Sequence, residues 1–229
     1  MTEYKALNTI AYEHLRRMIY SSELEFNKFY SETKLAAQLS ISRTPIRDAL
    51  NRLAQERYID ILPNRGFRLH TPTQGDIYEA FHVRMMIESY CAKIVSRHYP
   101  DAPARTTVAR MEDAMDMQRN LLEDDTSYSL GQFWLDDIAF HKATLEYLNI
   151  TSVIKQYESF MYIFMPHHLI RESDTHQKQP ATLERHRSTL VEHAAITEAI
   201  KSHDEERIQK AIQSHLDSSL KALYVRMED

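Results

Sequence analysis

The sequence is short of residues that several functional classes require. Only three glycines occur in 229 residues, which argues against a glycine-rich phosphate loop and against a turn-rich all-β fold. A single cysteine, Cys91, cannot form an internal disulfide and fits a reducing compartment. No apolar run approaches the roughly 20 residues needed to span a bilayer. The opening, MTEYKALNTIAYEHLRR, lacks the apolar core and cleavage site of a secretory signal. These absences lead to the expectation of a mostly helical, cytoplasmic protein without membrane association.

What is present is unevenly distributed. Residues 1–72 carry a formal balance of +3 and residues 73–229 one of −8, as separate tasks for two regions would produce. Between Lys34 and Arg68, seven basic residues face three acids. That excess alone does not separate a nucleic-acid surface from a solvated helix face.

The apolar spacing places a first helix over Leu7–Tyr20. Ser31 opens a second, SETKLAAQLS, with a Ser cap and an acid in its first turn. After the turn Ser40-Ile41, Ser42 caps a third, in which Pro45 sits where its missing N–H costs nothing. Ile46, Ala49, Leu50 and Leu53 form its inner face and leave Arg43 and Arg47 outward. Tyr58–Ile61 and Phe67–Leu69 alternate around Pro63-Asn64-Arg65-Gly66, the pattern of a hairpin. Helices followed by a hairpin make a winged helix-turn-helix over residues 1–72. From Thr73 the pattern is helical to the end, with breaks near Pro100–Pro103, Asp124–Tyr128, Asn149, Glu172–Pro180 and His203–Asp204. About six helices result, enough for one helical bundle over 73–229. The expected fold class is therefore mainly α.

A helix that reads a major groove needs long donors in its first turns. Arg43 and Arg47, four apart, leave from one face and can each hold guanine or clamp a phosphate. Ser42 and Thr44 can bond phosphate near the helix N-terminus. Arg65 and Gly66, at the hairpin tip, can reach an adjacent groove. Ser42-Arg43-Thr44-Pro45-Ile46-Arg47-Asp48-Ala49-Leu50-Asn51-Arg52-Leu53 resembles the recognition segment of GntR-type bacterial regulators. Two positions depart from that pattern. Phe26-Asn27 stands where Pro-Gly is usual, and Arg57 replaces the glycine after the recognition helix. The alternative for the head is a winged helix that binds protein.

In the body, polar residues inside apolar stripes carry the information. The stripe Ile77, Phe81, Arg84, Glu88, Cys91, Val95 places Arg84 and Glu88 on a face expected to be buried. Asp137 and His141 lie on the inner face of a third body helix, His193 on that of a fifth, and His215 on that of the last. Asp137 and His141, at i and i+4, can bind one ion together. Imidazoles with a carboxylate suit a divalent transition metal, zinc foremost, with nickel, manganese or iron as alternatives. Taken singly, each histidine reads more readily as a core or surface residue than as a metal ligand. The remaining histidines share no such geometry and are assigned no site.

Residues 77–223 resemble the FCD ligand-binding domain of the FadR-type branch of GntR regulators. The resemblance is carried by Arg84-x-x-x-Glu88, Asp137-x-x-Phe140-His141, Asn149, Glu192-His193, Asp204 and His215-Leu216. It implies that Asp137, His141, His193 and His215 are metal ligands. It also implies that Arg84 lines an effector pocket, holding the carboxylate of a small organic acid beside the metal. The alternative for Arg84 is an ion pair with Glu88 and no ligand. The resemblance thus implies a transcription regulator that is no enzyme, binds double-stranded operator DNA as a homodimer and responds to a carboxylate effector. The rival is a helical metallohydrolase using the same three histidines and aspartate, for which only Glu192 offers itself as a base.

Overall fold

The computed structural model describes residues 2–20, 23–123, 130–164 and 180–228. The chain divides into two compact units, residues 1–73 and 74–229. The breaks expected at 124–128 and 172–179, and His167, His168 and His176, lie outside the described residues.

The first unit holds α1 (Thr2–Tyr20), α2 (Glu32–Leu39), α3 (Arg43–Gln55), β1 (Ile59–Leu62) and β2 (Gly66–Leu69). Leu15, Ile19, Leu35, Ile46, Leu50, Leu53, Tyr58 and Phe67 are buried and form its core. The Ser31 hydroxyl accepts from Lys34 N and caps α2. At the other end Ser40 adopts φ 54, and Ile41 N closes onto Ala36 O, a left-handed helix stop. Ser42 occupies the N-cap of α3 in an extended conformation, but its side chain makes no capping hydrogen bond. Its hydroxyl therefore takes no part in fixing the start of α3.

β1 and β2 pair antiparallel, from Ile59 opposite Leu69 to Leu62 opposite Gly66. Tyr30 adds a bridge, donating its N–H to Phe67 O at 2.7 Å and accepting from Phe67 N at 3.0 Å. This bridge explains Gly66. Its φ is +90, and a Cβ there would stand 2.1 Å from Tyr30 O. The two departures from the family pattern also have a conformational meaning. Asn27 (φ 61) and Arg57 (φ 60) hold the left-handed backbone that glycine adopts most easily.

The second unit holds α4 (Gln74–His98), α5 (Ala102–Glu123), α6 (Leu130–Leu148), α7 (Thr151–Phe164), α8 (Pro180–Lys201) and α9 (Glu205–Glu228). The mainly helical architecture expected from the apolar spacing is what the chain forms, with a winged helix-turn-helix first and helices after it. Phe81, Val95, Val108, Met111, Phe140, Ile196, Ile200, Ile208, Ile212 and Leu216 join α4, α5, α6, α8 and α9 into one apolar core. Two family-pattern residues prove to be helix punctuation. Asn149 ends α6 at φ 53, and Asp204 starts α9 by accepting from Arg207 N at 2.9 Å.

Gly66→Ala combines a left-handed φ with a backbone collision. It is expected to cost on the order of 2 kcal/mol or more in the first unit, read as a lowered midpoint in urea unfolding followed by circular dichroism. An unchanged midpoint would show that the Tyr30 bridge yields at little cost.

Candidate functional site

In the first unit, Ser42, Arg43, Thr44 and Arg47 are all exposed on the first turns of α3. Buried Ile46, Ala49 and Leu50 turn the opposite face inward and so hold these side chains outward. Arg47 Nε lies 3.4 Å from Glu32 Oε2, a solvent-facing pair with 58% of the arginine side chain exposed. Such a pair is worth at most about 1 kcal/mol and leaves the guanidinium able to exchange partners. Arg52 sits apart from this set: it pairs with Glu56 at 3.0 Å and stacks 3.6 Å over the Tyr12 ring. At the hairpin, exposed Arg65 lies 4.3 Å over the Phe29 ring, and Gly66 is half-buried against Tyr30.

In the second unit, Asp137, His141, His193 and His215 come together. One ligand-type atom from each lies within 4.8 Å of the other three. His141, His193 and His215 are buried, and Asp137 retains 17% side-chain exposure. His141 Nε2 stands 3.1 Å from His215 Nε2. His193 Nε2 stands 3.3 Å from Asp137 Oδ1, yet this buried nitrogen makes no hydrogen bond.

The other ring nitrogens are held from behind. His141 Nδ1 faces Glu88 Oε2 at 2.9 Å, and His215 Nδ1 faces Glu192 Oε2 at 2.9 Å. His193 Nδ1 faces the amide oxygen of Gln118 at 3.2 Å, whose amide nitrogen donates to Phe133 O. Acceptors behind the Nδ1 of His193 and His215 favour the proton there and leave each Nε2 free to face the centre, while the Glu88 carboxylate stands behind the Nδ1 of His141. The His193 ring also stacks on Phe140 at 3.8 Å, which fixes its plane.

Electrostatics follows from burial. Desolvation lowers His193 to about 3, only partly offset by Asp137, and it lowers His215 despite Glu192. Burial thus favours the neutral imidazole at both, the form that binds metal. Burial pushes the Asp137 carboxyl upward, but His193, His141 and His215 overcome it and hold the group well below the ordinary range. Its neighbour Asp136 is buried with Gln132 as a partner, and desolvation raises it. Two adjacent acids thus diverge because one faces the imidazoles and the other does not.

His141 Nε2 and His215 Nε2, 3.1 Å apart, can share one hydrogen between them or share a cation. Three imidazole nitrogens and one carboxylate oxygen form a donor set suited to a divalent transition metal. The residues present fit such an ion.

Arg84, fully buried, gives Nε–H to Glu88 Oε1 at 2.7 Å, and Tyr157 donates its hydroxyl to the same oxygen at 2.7 Å. Burial opposes the Glu88 charge, but Arg84 and His141 hold the carboxylate ionised far below its ordinary range. The Arg84 charge acts on His215 and on Asp137 as well. Glu192, held to about 2 by His215 and Arg185 against burial, receives both Arg185 Nη atoms at 2.9 and 3.0 Å. Arg185 also donates to Ser219 at 3.0 Å.

The apolar stripes pointed to the four inward residues and to Arg84. Gln118, Tyr157 and Arg185 were not expected from them, nor was any contact between Glu88 and His141. Gln118 had a signal: it continues the buried α5 stripe Thr107, Met111, Ala114 as its last, polar member. His186, close in sequence to His193, stacks on Phe133 at 3.8 Å instead.

Comparison with known proteins agrees with the fold of the two units. A family described as bacterial regulatory proteins, gntR family, matches residues 7–69, and the FCD domain matches residues 79–218. The chain is 26% identical over 203 residues to the gluconate operon transcriptional repressor of Bacillus licheniformis, covering 89% of this chain and 79% of that one. It is 24% identical over 222 residues to the HTH-type transcriptional repressor RspR of Escherichia coli, covering 92% and 86%. Among solved structures, E. coli McbR/YncC shares the fold with a TM-score of 0.73 at 18% identity over 96% of this chain and 98% of that one. A putative GntR transcriptional regulator from Rhodococcus sp. RHA1 gives 0.67 at 20% identity over 98% of each chain. Fold and matches together define a winged-helix transcription regulator with a helical C-terminal domain. The chain belongs to the GntR family of bacterial regulatory proteins, in the branch that carries an FCD domain. Its family and relatives are regulators and not enzymes, and Glu192, the one base the hydrolase reading offered, is engaged by His215 and Arg185.

Removing one partner of a buried ion pair strands the other charge. Arg84→Ala is expected to destabilise the second unit by about 3–5 kcal/mol, and Tyr157→Phe by about 1 kcal/mol, both read by urea unfolding. A loss below about 1 kcal/mol for Arg84→Ala would mean that Glu88 has another cation available.

Proposed function

We propose that this regulator binds operator DNA as a homodimer, represses from it, and is controlled by a small carboxylate effector at a metal-containing site. The observation that supports it most is the convergence of three imidazole nitrogens and the Asp137 carboxylate in a buried setting. Asp137, His141, His193 and His215 hold the ion, zinc foremost, with nickel, manganese or iron as alternatives. When bound, the ion supplies positive charge for an oxygen of the effector. Arg84 supplies the second anchor for the acid and shares its guanidinium with Glu88.

On the DNA, Ser42, Arg43, Thr44 and Arg47 enter the major groove, and Arg65 reaches from the hairpin, with Gly66 adding no bulk at its tip. One such head reads a half-site, so two copies meet a roughly palindromic operator. The effector switches the protein by binding its DNA-competent and DNA-incompetent arrangements with different affinities. The relatives named as repressors favour repression as the direction. The operator DNA places its work in the cytoplasm.

Elemental analysis and native mass spectrometry of the purified chain test the metal. The expected result is about one divalent ion per chain, with affinity falling about 10- to 100-fold in Glu192→Gln because His215 loses its orienting partner. A folded chain that takes up no divalent ion would remove the metal from the proposal.

A duplex selected from a randomised pool tests the reading head. Binding is expected to weaken steeply with salt and to lose about 1–3 kcal/mol in Arg43→Ala. Titrating mono- and dicarboxylic acids against the same complex tests Arg84. Arg84→Lys keeps the charge beside Glu88 but loses the forked donor, so its response should weaken; a response equal to native would take Arg84 out of the effector site.

A further inference from the structure

The hairpin carries two arginines that the fold holds in different ways. Both lie beside Phe29, the half-buried residue just before the Tyr30 bridge. Tyr30 exchanges two backbone hydrogen bonds with Phe67, and its ring lies 5.7 Å from that of buried Phe67. Successive residues of a paired strand point to opposite faces, so Phe29 turns to the other face, across from Arg68. There its ring lies 4.3 Å from the Arg65 guanidinium and 5.9 Å from that of Arg68.

Distance gives Arg65 the stronger contact, and chemistry widens the difference. Arg68 donates Nε–H to Asp60 at 3.2 Å, the residue opposite it in the β1–β2 register. A carboxylate partner occupies donors and offsets charge. A ring under a guanidinium attracts the cation through its face and takes up neither the N–H groups nor the charge. The Arg65 backbone is fixed as well: its N–H donates to Leu62 O at 3.2 Å, and Asn64 turns the chain at φ 60. Turn and ring together leave an exposed arginine with few conformations to lose when it meets an anion.

We infer that Phe29 is a positioning residue for DNA binding, whose ring holds the Arg65 guanidinium aimed and with its donors available to the duplex. This rests on the reading that Arg65 contacts DNA and adds the side chain that directs it. The Tyr30 bridge gains a second task, because the same pairing that demands Gly66 sets the Phe29 ring against the hairpin tip.

Fluorescence anisotropy of the full chain on a duplex selected from a randomised pool tests the pair. Arg65→Ala is expected to weaken binding about tenfold. Phe29→Leu, which keeps apolar cover and removes the ring, should weaken it about two- to fivefold. Phe29→Tyr, which keeps the ring, should bind as native. In the Arg65→Ala background Phe29→Leu should change nothing further, because no guanidinium remains to be held. A second loss of the same size in that background would mark a general disturbance of the hairpin and overturn the inference, as would a Phe29→Leu chain that binds as tightly as native. If Arg65→Ala binds as native, or the native chain binds no duplex, the DNA reading of Arg65 falls and this inference falls with it.

Discussion

The second unit depends on a single buried carboxylate. Glu88 takes a hydrogen bond from Arg84 and another from Tyr157 on one oxygen, and its other oxygen faces His141 Nδ1. An unpaired carboxylate at this depth would cost several kcal/mol, so these groups are mutually required. Without Arg84 the Glu88 charge is stranded; without Glu88 the His141 ring loses the carboxylate that faces its Nδ1 at 2.9 Å. Arg84 and His141 thus answer to the same acid, and a change at one is felt at the other through a distance of two contacts.

The same logic repeats around the donor cluster with different partners. Gln118 fixes His193 through a neutral amide that is itself tied to the α6 backbone. Glu192 fixes His215 through a charge that Arg185 balances. The three orienting groups therefore differ in charge, and the cluster has three ways of setting the direction of an imidazole. Phe140 adds an apolar wall that sets the plane of His193. Few of these interactions are local in sequence; the contact from Gln118 to His193 spans 75 residues.

Much of this was legible in the sequence because helical periodicity reports direction. A polar residue on an apolar stripe must be buried, and that reasoning places Arg84, Glu88, His141, His193 and His215 inside before any coordinates are known. It also separates outward Arg43 and Arg47 from the α3 core. Periodicity does not report which inward groups meet. The reach of Glu88 to His141 is set by how α4 lies against α6, and the reach of Arg185 to Ser219 by how α8 lies against α9. Tyr157 was hidden for a second reason: on an apolar face a tyrosine reads as bulk, and its hydroxyl becomes informative only when its acceptor is seen. Gly66 was read as letting the hairpin tip approach an adjacent groove, whereas the Tyr30 bridge makes the demand on it.

Asn27 and Arg57 carry a consequence for the first unit. Glycine at a left-handed corner is sterically free, but it also enlarges the set of conformations that the unfolded chain samples. Asn and Arg reverse that balance: the folded corner bears a steric penalty of roughly 1–2 kcal/mol at most, while the disordered chain has fewer states to surrender. The corner after α3 is thereby held by its surroundings against the preference of its own residue. The hairpin that follows Arg57 inherits its starting direction from that enforced turn.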